Sequence, residues 1–202
     1  MAHGVRLNAP APRAWGALSL LLALAALAGG WLDPRALDWQ PGLAAREPWR
    51  AFTAVAVHYS PLHLGANLAG TLLVGVLGIV ARVPWRIVLA WALAWPLTQL
   101  GLLLRPELAH YGGLSGVLHA GVVAAALWLV VHERGRRQLI GVAILGGVLI
   151  KIIGEAPWGP ALQTREGWDI TVAPFAHASG AFCGLLCARL SLLLPSASSH
   201  DH

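Results

Sequence analysis

The chain reads as long apolar runs broken by short polar segments. A helix needs about 20 consecutive apolar residues to cross the hydrocarbon of a bilayer. Six runs meet that requirement, at 14–32, 56–80, 85–104, 113–131, 138–156 and 172–194. Pro84, the Arg105-Pro106 pair, the cluster from Glu133 to Arg137 and a polar loop from Pro157 to Asp169 separate the later runs. The first two are joined by a longer connection, 33–50, with Pro34, Pro41 and Pro48. Trp31, Trp39 and Trp49 in and beside it suit the headgroup zone, where an indole is half wet. The pattern predicts an all-α, polytopic six-span bundle over 14–194. A cytoplasmic segment, 1–13, precedes it, and a Ser- and His-rich tail, 195–202, expected to be disordered, follows. The first run, behind Arg6 and Arg13, also has the outline of a signal peptide. The apolar character of the remainder favours an uncleaved anchor.

Composition agrees with lipid as the solvent. Of the 202 residues 57% are hydrophobic and 11% charged, against roughly 25% charged in soluble domains. Mean hydropathy is +0.65. The formal charge of +5 does not point to nucleic acid, because the basic residues lie between apolar runs and form no stripe. They set orientation instead. With the N-terminus in the cytoplasm, Arg6, Arg13, Arg82, Arg86, Arg134, Arg136, Arg137 and Arg189 fall inside. Arg35, Arg46, Arg50, Arg105, Lys151 and Arg165 fall outside, with most of the acidic residues. Cys183 and Cys187 lie one helical turn apart, which suits small packing residues and not a disulfide.

Polar residues inside spans are costly and are functional candidates by default. The second span opens with His58, His63 and Asn67, the fourth with Gly112, Gly113, Ser115, Gly116 and His119, the sixth with His177, Ser179 and Gly180. In the topology above these three spans run from outside to inside. Their polar first turns therefore share one depth near the outer face. That juxtaposition suits acyl transfer. Ser115 is the candidate nucleophile, and a serine hydroxyl is feeble until a base takes its proton. His177 is the candidate base, since an imidazole titrates near neutrality. The sixth span holds no acid to orient it, so a dyad is expected. His63 and Asn67 share a helix face and suit the oxyanion, beside the Ser115 N–H and the positive end of its helix. Gly113, Gly116 and Gly180 permit close backbone approach. The competing reading of each is plain: a Gly-x-Ser-Gly string is often helix packing, a lone intramembrane histidine often a strut, and His58 an interface residue.

The stretch Glu47-Pro48-Trp49-Arg50, then His58 and His63-Leu64-Gly65-Ala66-Asn67, resembles the first loop and second helix of the rhomboid protease family. Gly113-Leu114-Ser115-Gly116 resembles its G-x-S-G motif, and Ala176-His177-Ala178-Ser179-Gly180 its A-H-x-x-G motif. The resemblance spans nearly the whole chain. It implies an intramembrane serine endopeptidase with Ser115 as nucleophile, His177 as base, and His63 and Asn67 at the oxyanion. It implies no metal or cofactor, and a membrane-anchored protein as substrate. Many rhomboids carry a tyrosine four residues after the serine, where this chain has His119. The string Gly-Leu-Ser-Gly-Val-Leu-His is similar to the rhombosortase subfamily, thought to process exported proteins bearing a Gly-Gly-type C-terminal sorting tail. That likeness implies a bacterial inner membrane and a site open to the periplasm. Lys151 and Glu155, four apart at the outer end of the fifth span, suit either an ion pair steadying a helix end or a substrate gate. Two alternatives stand beside this reading. One is a general rhomboid acting on single-pass proteins. The other is a non-catalytic escort, which should lack the serine or the histidine. A transporter should show inverted repeats, and none is evident.

Overall fold

In the computed structural model, residues 9–194 are described. Most of the N-terminal segment and the whole of the tail expected to be disordered lie outside them. Eight α-helices follow in order: α1 Pro12–Ala28, α2 Pro34–Leu37, α3 Arg50–Thr53, α4 Pro61–Val80, α5 Trp85–Gly101, α6 Ser115–His132, α7 Arg136–Glu155 and α8 Pro174–Leu193. Short 3-10 turns extend α1 to Trp31 and α5 to Leu104. With those turns, α1, α4, α5, α6, α7 and α8 give six helices long and apolar enough to cross a membrane. The described residues hold no β-strand. Helices satisfy their own backbone groups, as hydrocarbon requires.

The second and fourth spans begin later than their apolar runs suggest. The second span begins at Pro61 and not at 56. Ser60 Oγ accepts the His63 N–H at 3.0 Å, and a proline without an N–H suits the first helical position. Residues 50–56 form α3 and a 3-10 turn, so His58 lies in the connection before α4. The fourth span begins at Ser115 itself, which leaves Gly112 and Gly113 in the approach.

Helix α6 is the most buried span and α7 the least. Small residues explain the central position of α6. Gly116 and Ala120 on α6 face Ala176, Gly180 and Gly184 on α8. A Cβ at Gly180 would run into the Gly116 carbonyl, and one at Gly184 into that of Ala120. The two backbones thus touch, in the small-xxx-small manner of membrane helices. On the other flank Trp15 and Trp91 pack together with ring centroids 4.3 Å apart and planes tilted by 32°. Their indole N–H groups donate to the carbonyls of Val74 (2.9 Å) and Val117 (2.8 Å), so each buried donor is satisfied.

The loop between α1 and α4 is organised by Arg50. Its guanidinium donates to the Arg35 and Asp38 carbonyls, both at 2.9 Å, and pairs with Asp38 (3.2 Å) and Glu47 (2.5 Å). Asp38 also meets His110 Nδ1 at 2.7 Å. Trp39 and Tyr111 exchange backbone hydrogen bonds, and the Gly113 N–H donates to the Ala54 carbonyl at 2.9 Å. The loop therefore fixes the segment leading into Ser115. At the opposite end of the bundle, Arg137 donates to the carbonyls of Val80 and Ala81, and Arg86 to that of Leu194.

Candidate active site

Ser115 is the first residue of α6, and His177 sits in the first turn of α8 behind Pro174. The backbone contact at Gly116 and Gly180 brings these two turns together. Ser115 Oγ lies 3.0 Å from His177 Nε2. Ser179, two residues on, donates to the Thr98 carbonyl at 2.8 Å and ties α8 to α5.

His63 and Asn67 are buried on one face of α4. The Asn67 amide donates to the His63 carbonyl at 3.1 Å. His63 Nδ1 accepts from the Tyr59 N–H at 3.4 Å, which leaves Nε2 as the donor. Both side chains face the turn at Gly113. A Cβ there would stand 2.8 Å from His63 Nε2 and 3.8 Å from Asn67 Nδ2. Gly113 has φ +129°, a conformation that favours glycine, so that turn needs both the missing side chain and the missing steric constraint.

His119 stacks on His177, with ring centroids 4.4 Å apart and planes 15° apart. Its Nδ1–H donates to the Ser115 carbonyl at 2.6 Å. His58 stands 4.8 Å from the His63 ring, and burial holds its pKa below the ordinary histidine value. Tyr111, on the approach to Ser115, is buried, and burial pushes its phenol up.

Sequence reasoning missed one neighbour. It sought an acid only in the sixth span, whereas the carboxylate reaches His177 from the fifth. Glu155 Oε2 lies 2.6 Å from His177 Nδ1. Lys151 is bonded to the other carboxylate oxygen and stands 3.4 Å from Nδ1. The i, i+4 ion pair expected at the helix end is therefore present, but its carboxylate is turned inward. The signal available in sequence was depth, since the end of α7 and the start of α8 lie at the same level.

A cleft of about 1200 Å³ opens on Ser115 and His177 and is lined also by His63, Asn67, Lys151 and Glu155. The loop between α7 and α8 covers one side of it. Arg105 holds that loop by donating to the carbonyls of Pro157 (2.7 Å) and Gly159 (2.6 Å), and Ser60 by donating to Asp169 at 2.7 Å. Among the described residues no cluster of His, Cys, Asp and Glu could hold a metal ion.

A family model described as the Rhomboid domain matches residues 45–193. The chain belongs to the rhomboid family. Rhomboids are generally intramembrane serine proteases that act on membrane-protein substrates within the bilayer. The six apolar helices and the family together make this a multi-pass membrane protein. Comparison with curated proteins returns no match.

Proposed function

We propose that this rhomboid is a serine endopeptidase of the rhombosortase type, cleaving transmembrane or C-terminal sorting-tail segments of exported proteins. The observation that carries the reading is the 3.0 Å separation of Ser115 Oγ and His177 Nε2 across two helices. In this reading the Ser115 hydroxyl attacks the scissile carbonyl as Nε2 takes its proton. The tetrahedral oxyanion is met by His63 Nε2–H, the Asn67 amide and the Ser115 N–H. Collapse passes the proton from His177 to the leaving amine and leaves an acyl-enzyme, which water hydrolyses by the same route.

The cleft suits an unwound segment, because a peptide bond inside a helix is shielded by its own turn. A Gly-rich tail unwinds at low cost. His119, in place of the tyrosine of many rhomboids, supports the rhombosortase assignment over a general rhomboid. The N-terminus is assigned to the cytoplasm of a bacterial inner membrane. The cluster of Arg82, Arg86, Arg134, Arg136 and Arg137 at the end remote from Ser115 supports that orientation. The site then opens to the periplasm.

The test is labelling by a fluorophosphonate serine probe in lipid. Wild type is expected to label, and Ser115→Ala and His177→Ala to lose the signal. Failure of wild type to label in any lipid or detergent favours the escort reading. A panel of sorting-tail and ordinary single-pass substrates separates the two protease types.

A further inference from the structure

The Glu155 carboxylate is the feature that a serine–histidine pair leaves unexplained. It is contributed by α7, the least buried span, whose contact with α8 is slight beside that of α6. Yet at its last residue α7 delivers an acid to within 2.6 Å of His177 Nδ1. The imidazole is thus bonded at both nitrogens: Nδ1 to Glu155 and Nε2 to Ser115. A carboxylate only accepts, so Nδ1 must carry the hydrogen. That leaves Nε2 unprotonated and aimed at the serine hydroxyl, which is the tautomer a general base needs.

We infer that Glu155 is a positioning residue that completes a Ser115–His177–Glu155 relay, holding the imidazole in its working tautomer and stabilising the imidazolium formed when Ser115 gives up its proton. The inference rests on the protease reading above. The side chains of His177 and Glu155 are 12% and 21% exposed, so solvent screens their contact only partly. Lys151 takes the second carboxylate oxygen. It contributes positive charge and no bond to Nδ1, whose hydrogen is already committed to Glu155.

The groups facing His177 divide by sign. From α6 come Ser115 and the stacked His119. From α7 come Glu155 and Lys151. From α4 comes His63, across the same cleft. The sole ionisable side chain of α5, Arg86, is bonded to the Leu194 carbonyl at the other end of α8. The loop between α7 and α8 lines the same cleft with Arg165 and Glu166, and the first loop with Asp33, Arg35 and Asp38. Glu155 is the anion bonded to the imidazole.

The test is the rate of fluorophosphonate labelling of Ser115 as a function of pH, in wild type, Glu155→Gln, Glu155→Asp and Lys151→Ala, with each variant's thermal midpoint as a check on folding. An isosteric amide removes the charge and frees the tautomer. In serine hydrolases that change costs up to about 10⁴-fold. Glu155→Gln is expected to label at least about 100-fold more slowly at neutral pH, with Glu155→Asp recovering part of the loss. An anion favours the protonated imidazole and a cation disfavours it. The acidic limb of the profile should therefore move to lower pH in Glu155→Gln and to higher pH in Lys151→Ala. A pair that merely steadied the end of α7 would give matched losses in the two variants and no movement of the limb. That result, or wild-type labelling by folded Glu155→Gln, overturns the inference and leaves the protease reading standing. Absence of Ser115-dependent labelling in wild type overturns both.

Discussion

The His177 imidazole is held between two oxygens from different helices, at 3.0 Å on one nitrogen and 2.6 Å on the other. The first oxygen was legible in the sequence. Ser115 and His177 stand in the opening turns of spans that run in the same direction, and polar groups at one depth invite pairing. Glu155 was legible only as the partner of Lys151, because i, i+4 spacing is local whereas the route from α7 to α8 depends on how the bundle packs. On α4 the i, i+4 rule served better, since His63 and Asn67 are buried together facing Gly113. If they serve the oxyanion, Asn67→Ala should lower kcat by about 10²–10³-fold with little change in KM, as measured on any cleaved substrate. His58 carries a different expectation. Burial lowers its pKa, and its Nε2 has no hydrogen-bond partner among the described residues. Below the ordinary histidine value of 6.5 the unfolded chain binds the proton more readily than the folded one. Stability should therefore fall as pH drops beneath that value and be insensitive to His58 above it. Thermal unfolding from pH 7.5 to about 5.5 should show a smaller acid loss in His58→Asn than in wild type.

At the scale of elements, the apolar runs gave the number and order of spans, and proline and its caps explain where the edges differ. Hydropathy continues through residues 56–60, but Ser60 and Pro61 start the helix and leave His58 outside it. The packing of α6 on α8 was readable in part, from Gly116 and Gly180. The continuation of the small-residue stripe through Ala120 and Gly184 emerges only when the two helices are laid together. Gly180→Val should force the helices apart at the Gly116 carbonyl. A loss of about 1–3 kcal/mol is expected for such overpacking, together with loss of Ser115 labelling as His177 withdraws. Gly146→Ala, on α7 with open space around it, should leave both unchanged.

For the whole molecule, the first loop and the approach to α6 act as one body around Arg50. The Trp49-Arg50 pair was visible as a motif, but not the reason for it. Arg50 bonds carbonyls and carboxylates scattered over residues 35–47, and Asp38 is only 2% exposed. Removing the guanidinium takes away the buried Asp38 carboxylate's guanidinium partner and leaves it only His110 and Gln40, and Arg50→Ala should destabilise by about 3 kcal/mol, seen as a lowered thermal midpoint in detergent. The bundle as a whole brings the opening turns of α6 and α8 together at one end. That makes mapping the adduct after fluorophosphonate treatment the most direct measurement. Peptide mass analysis should find a single modified residue, Ser115, and none when His177 is replaced by alanine. An adduct on Ser60 or Ser179 in its place, or equal modification of Ser115 without His177, would contradict the pairing of that hydroxyl with that imidazole.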